Sequence, residues 1–235
     1  RQADALHPLK RHRPLAAGEI SPPAAAALSA LLLLAGLAGA WLLAPPFGLT
    51  ASAYVLLQAA YSFGLKRVAL LDIFLIAAGF VLRAVAGAAV IAVRISPWLL
   101  LCAFLLALFL ALCKRRHEKL LLAAGDSRHR ESLAGYDVLL LDQFIAIAAA
   151  AVIAAFSVYA LAGETARRFG TDCLGLTIPF VIFGLFRYLD LVYRHDGGGR
   201  PEKTLLTDGV LMAVIILFLL TALVVFLTAD SPAGG

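Results

Sequence analysis

The chain has 235 residues, of which 62% are hydrophobic and only 15% charged, and its mean hydropathy is +0.92. A soluble domain carries roughly a quarter charged residues, so a water-soluble globule is excluded and an integral membrane protein is indicated. The formal charge of +5 does not call for nucleic acid, because lysines and arginines at the ends of spans are usual in multi-pass membrane proteins.

In chain order, the first stretch, from Asp4 to Gly18, is polar and basic, with Lys10, Arg11 and Arg13 between Pro8 and Pro14. Charge this dense at a membrane surface suits a phosphate partner. Apolar runs able to cross about 30 Å of hydrocarbon follow at 24–44, 47–63, 70–93, 96–113, 138–161, 172–192 and 210–228. Only helices and closed barrels satisfy their backbone in lipid, and nothing here alternates with period two. The expected fold is all-α, a polytopic transmembrane helical bundle of about seven spans, forming a single domain over 1–235.

Pro45-Pro46 and Ser96-Pro97 mark breaks between spans, and Gly197-Gly198-Gly199 predicts a flexible loop. Gly79 and Gly87 in the third span, and the alanines at 146 and 148–151 in the fifth, predict close helix approach. Cys102, Cys113 and Cys173 show neither metal-ligand spacing nor a disulfide framework and read as packing residues.

Fifteen lysines and arginines fall on one side, among them Lys66, Arg67 and the Lys114-Arg115-Arg116 run, against Arg94, Arg167 and Arg168 on the other. That asymmetry predicts a cytoplasmic basic face. Topology does not explain charges inside spans, which cost several kcal/mol at mid-membrane and normally face a cavity or a partner. Asp72 and Arg83 are eleven residues apart, three turns and hence one helix face, with Asp72 near enough to the basic end to be solvated. Asp142 and Gln143 open the fifth span, and Arg187 and Asp190 are spaced for a local ion pair. Lys114 and Glu118 lie four apart on a helix leaving the membrane. Clustered arginines suit phosphate, because a planar guanidinium binds two oxygens at once. The five histidines all lie in polar stretches without metal-site spacing and read as phosphate-site or surface residues.

The segment His7-Pro8-Leu9-Lys10-Arg11-His12-Arg13-Pro14 resembles the end of the first aspartate-rich motif of the UbiA-type intramembrane prenyltransferase superfamily. Further similarities run in order along the chain: Tyr61-Ser62 with Leu65-Lys66, Asp72, Gly79 to Arg83, and Lys114-Arg115-Arg116 with Glu118. Leu141-Asp142-Gln143, Pro179-Phe180, Phe186-Arg187-Tyr188, Pro201-Glu202 and Leu206-Thr207-Asp208 complete them. Together they resemble the branch that attaches phosphoribose to a polyprenyl phosphate in actinobacterial cell-wall arabinan synthesis. Members moving a prenyl group carry a second aspartate-rich motif where this chain has the basic Lys114-Arg115-Arg116-His117-Glu118.

The resemblance implies Mg2+, phosphoribosyl diphosphate as donor and a polyprenyl phosphate as acceptor, with the site facing the cytoplasm of the plasma membrane. It makes Asp4 the metal-side carboxylate and sets Lys10, Arg13, Lys66 and Tyr61 at the donor phosphates. Lys114, Arg115, Arg116 and Glu118 would form a second polar wall, and Arg187 a cavity-facing cation. Asp72, Arg83 and Asp142 would touch substrate or orient its contacts. The chain departs from the family pattern at Ala5, where an arginine is usual, and at Asp190, where an uncharged residue is expected. The family has about nine spans, so the chain reads as its third to ninth, with the main magnesium carboxylates upstream of Arg1. A homo-oligomer is compatible with all of this. A prenyltransferase acting on an aromatic acceptor, a transporter and a non-catalytic membrane protein remain alternatives.

Overall fold

A computed structural model describes residues 14–123, 135–194 and 197–229, and these contain no β-strand. After a single helical turn at Pro14–Ala17 come α1 (Pro22–Leu43), α2 (Pro45–Phe63), α3 (Leu71–Val90), α4 (Pro97–Ala123) and α5 (Val138–Leu161). The short α6 (Gly163–Phe169), then α7 (Ile178–Arg194), α8 (Pro201–Thr207) and α9 (Gly209–Ala229) complete the bundle. Short 3-10 turns lie at Leu65–Arg67, Cys173–Thr177 and Gly197–Gly199. All seven apolar stretches are thus helical.

Among the described residues six helices are long and apolar enough to cross a membrane: α1, α3, α4, α5, the Cys173–Arg194 unit and α9. The seventh predicted span, α2, has 19 residues, but Pro45, Pro46, Tyr54, Gln58 and Tyr61 leave it short of the apolarity of those six. The chain is a multi-pass membrane protein.

The breaks have local causes. Ser21 caps α1 by accepting from the Ala24 N–H at 3.4 Å. Ala44 is extended, as the residue before a proline must be, and Pro45 and Pro46 open α2 without giving up a needed donor. The α1–α2 hairpin closes over Gly48, where an added Cβ would meet the Trp41 ring. Asp137 caps α5 through the Leu140 N–H at 3.1 Å.

The core lies among α3, α4, α5, α7 and α9, with Ile73, Phe109, Leu141, Ile145, Leu185 and Leu211 at its centre. Lipid is as apolar as leucine, so packing contacts and small residues hold such helices together, not the expulsion of water. Ala148 and Ala149 are buried accordingly, whereas Ala146 and Ala150 face outward. Gly79 lets Tyr54 of α2 approach, an added Cβ there lying 3.5 Å from its ring. Gly87 has nothing within 4 Å and does not mediate close approach. Cys102 and Cys113 are buried packing residues as expected, while Cys173 is exposed.

The glycine run corrects the prediction of a flexible loop. It forms a 3-10 turn seated on α4, with Gly198 buried so tightly that an added Cβ would lie 2.9 Å from the Cys113 carbonyl oxygen. Absence of side chains here serves close approach rather than mobility.

Candidate active site

The connections after α2, α4 and α7 meet on one face of the bundle: Asp72 at the start of α3 bonds Arg115 near the end of α4, and the Gly197–Gly199 turn packs on Cys113 of α4. Most of the site residues read from the sequence lie there. Asp4, Lys10 and Arg13 fall outside the described residues, as do His7, His12, His129 and His195.

Asp72 sits in the first turn of α3, where a carboxylate is favoured by the helix dipole. It is not solvated: it is 0% exposed and Arg115 is 2% exposed. Asp72 Oδ2 accepts from Arg115 Nε at 2.7 Å, and Oδ1 accepts from the Ile73 N–H at 2.9 Å and the Tyr136 hydroxyl at 2.6 Å. Arg115 Nη1 donates to Glu118 Oε2 at 2.6 Å. A buried carboxylate survives only with such partners. Burial and then the bond to Asp72 raise the Tyr136 phenol well above its ordinary pKa. Arg115 therefore lies inside the predicted polar wall, bolting α4 to α3, while Lys114 beside it is exposed.

A second group joins α4, α5 and α7. Arg116 Nε donates to Asp142 Oδ1 at 2.5 Å, the Tyr193 hydroxyl donates to the same oxygen at 3.0 Å, and the Arg116 guanidinium stands 4.1 Å over the Tyr193 ring. A third joins α7 to α9. Arg187 grips Asp208 with Nε at 3.2 Å and Nη2 at 2.7 Å, and its Nη1 reaches Asp190 at 3.0 Å. The predicted Arg187–Asp190 pair is present, and Asp190 also accepts from Arg194 Nε at 3.1 Å. Asp208 Oδ1 further accepts from the Leu211 N–H at 2.8 Å, capping α9.

Arg83 stands apart. It shares a helix with Asp72 but is exposed and lies 4.7 Å over the Phe80 ring and 5.2 Å from that of Tyr54. Such cation–π contacts hold a guanidinium at apolar depth without a counter-ion. Tyr61 is half-buried and Lys66 exposed. Lys66 and Lys114 have no ion-pair partner among the described residues, so both cations are open to an anionic ligand.

Among the described residues no three His, Cys, Asp or Glu side chains converge on a metal-sized site. Asp72, Asp142, Asp190 and Asp208 are each paired with an arginine, and the metal-side role expected of Asp4 lies outside the described residues. Below the polar face, an apolar pocket of about 230 Å³ opens between α4, α7 and α9, lined by Leu106, Phe109, Val181, Tyr188, Leu211 and Phe218.

Tyr136, Tyr193 and Asp208 are central to these groups, yet sequence reasoning gave none of them a role. Asp208 carried a signal, as part of Leu206-Thr207-Asp208. Tyr136 and Tyr193 carried none, because their partners lie 64 and 51 residues away.

The spans form a polytopic helical bundle joined by ion pairs along one face, one of them fully buried, and comparison with known proteins gives its class as an intramembrane enzyme. Residues 1–121 match the UbiA prenyltransferase family. The chain belongs to that family. It is 35% identical over 227 residues to the decaprenyl-phosphate phosphoribosyltransferase of Mycolicibacterium smegmatis, covering 93% of this chain and 69% of that protein. The proteins of the same name from Mycobacterium tuberculosis and Corynebacterium glutamicum are each 33% identical over 222 residues. Those alignments take in 94% and 92% of this chain, and 72% and 65% of the relatives.

Proposed function

We propose that this chain belongs to an enzyme that transfers a 5-phosphoribosyl group from phosphoribosyl diphosphate to a polyprenyl phosphate, releasing diphosphate. The observation that carries this reading is similarity at 33–35% identity, across more than nine-tenths of the chain, to proteins named for that activity. The site chemistry supports it. Where prenyl-transferring members place a second set of metal-binding aspartates, this chain has a basic run whose one acid, Glu118, is bound to Arg115.

In the proposed reaction an oxygen of the lipid phosphate attacks the anomeric carbon of the donor as the carbon–oxygen bond to diphosphate breaks. The attacking group is already an anion, so a general base is not required. Lys66 and Lys114 hold phosphate oxygens and disperse charge on the leaving diphosphate, together with Lys10 and Arg13. Arg116 is stacked and paired so that its face of the site keeps its shape. The apolar pocket beside Tyr188 offers a surface for part of the isoprenoid tail. The proposal includes dependence on Mg2+, a place in cell-wall arabinan precursor synthesis, and a plasma-membrane location with the site facing the cytoplasm. The fifteen-to-three division of basic residues supports that orientation.

The test is turnover by the full-length protein in nanodiscs with magnesium, labelled phosphoribosyl diphosphate and a polyprenyl phosphate. A parallel arm offers prenyl diphosphate and an aromatic acid. Label entering the lipid phase, and lost with chelator, is the expected result. Product from the parallel arm alone overturns the reading.

A further inference from the structure

Lys66 rides on a short turn. Gly64 leads into the 3-10 turn Leu65–Arg67, which closes with Val68 N–H on the Leu65 carbonyl at 3.2 Å. The backbone then passes through Leu70 at φ 68° before α3 begins. A leucine at positive φ with ψ −46° lies in a sparsely populated backbone region, strained by about 1–3 kcal/mol, and it stands at the α3 N-cap position with no side-chain cap. Something outside the turn must hold it.

That hold comes from the segment before α5. The Tyr136 hydroxyl accepts from the Leu70 N–H at 2.6 Å and donates to Asp72 Oδ1 at 2.6 Å, using one oxygen to fix both sides of the α3 start. Gly135, next to it, packs so close that an added Cβ would sit 3.0 Å from Ala69 Cβ. Two adjacent residues therefore clasp Ala69 and Leu70, the link between the turn and α3, and Asp72 is itself fixed by Arg115 of α4.

We infer that Tyr136 is a positioning residue: by holding Leu70 and Asp72 it sets the Leu65–Arg67 turn and so places Lys66 at the donor phosphates. This rests on the reading of Lys66 as a donor contact under the proposed function. Tyr136 itself touches no substrate. The hydroxyl is the working group, and a phenylalanine would fill the same space while leaving the Leu70 N–H without its acceptor.

The experiment is a double-mutant cycle in the full-length protein, reading KM separately for phosphoribosyl diphosphate and polyprenyl phosphate. Lys66→Ala should raise donor KM tenfold or more. Tyr136→Phe should raise donor KM about as much and leave acceptor KM within twofold. The double variant should be no worse than Lys66→Ala alone, because both changes remove one contact. Should Tyr136→Phe not fold, Gly135→Ala, which presses on Ala69 without touching the hydroxyl, should raise donor KM several-fold. An unchanged donor KM in the folded Tyr136 variant, or effects that multiply in full, overturns the positioning role alone. A silent Lys66→Ala overturns the donor-contact reading and the inference with it.

Discussion

Arg115 Nε donates to Asp72 Oδ2 across 2.7 Å, and neither side chain reaches solvent. The pair is asymmetric. Asp72 has two further donors, the Ile73 N–H and the Tyr136 hydroxyl, whereas Arg115 depends on Asp72 and a Glu118 that is partly open to solvent. Removing one member of a buried pair strands the other charge, at about 3–5 kcal/mol. Asp72→Ala should therefore be the most damaging single change at this face. Arg115→Met fills the same volume and leaves Asp72 with its other donors, so its loss should be smaller. Thermal unfolding in detergent orders the two, and the reverse order would show that Arg115 is satisfied elsewhere.

Tyr136 ties stability to alkaline pH. Its phenol is held above the ordinary value, first by burial and then by the bond to Asp72. The folded state thus keeps a proton that the unfolded chain gives up near pH 10, about the free tyrosine pKa. The stabilisation is complete below that pH and drains away as pH rises toward the folded value. Tyr136→Phe has no proton to lose and should show a flatter fall in unfolding midpoint between about pH 9 and 11, the interval bracketing that pKa. Parallel slopes in the two proteins would mean that lysines, not Tyr136, set the alkaline limit.

The fold was legible in the sequence because lipid imposes one strong rule. A run near twenty apolar residues must be a helix, and each of the seven stretches is one. The site was legible only in part. The Arg187–Asp190 pair is written in local spacing, and the helix carrying Lys114 to Glu118 in the continuity of α4. Whether Asp72 is solvated or buried was left open, because its partner Arg115 is 43 residues away and nothing local distinguishes a buried carboxylate at a helix start from a solvated one. Tyr136 bridges 66 residues to Leu70, a bond that exists only once α3, α4 and α5 are assembled.

Arg187 and Asp208 couple two spans through a planar contact. A lysine carries the charge but cannot present two parallel donors to one carboxylate. Arg187→Lys should lower the unfolding midpoint nearly as far as Arg187→Ala. Asp208 has a second task, capping α9 through the Leu211 N–H, which is worth about 1 kcal/mol. Asp208→Asn keeps an oxygen for the cap and should be milder than Asp208→Ala. If the two Asp208 variants unfold together, the cap contributes nothing and the ion pair alone matters.

The turn at Gly197–Gly199 gives a contrast within one element. At Gly198 a methyl group would meet the Cys113 carbonyl oxygen at 2.9 Å, with His117 Cβ at 3.4 Å and Val192 Cγ1 at 3.5 Å. The first of these is helix backbone and cannot swing aside, so Gly198→Ala must lift the turn off α4. Overpacking of this kind costs about 1–3 kcal/mol. At Gly199 the nearest obstacle is the His117 imidazole, which can turn about its own side-chain bonds. Gly199→Ala should therefore be the milder variant, and an added His117→Ala should relieve it while doing little for Gly198→Ala. Unfolding midpoints of the four proteins decide the matter. Relief of both glycine variants by His117→Ala would place the tight contact at the imidazole and leave the α4 backbone free to move.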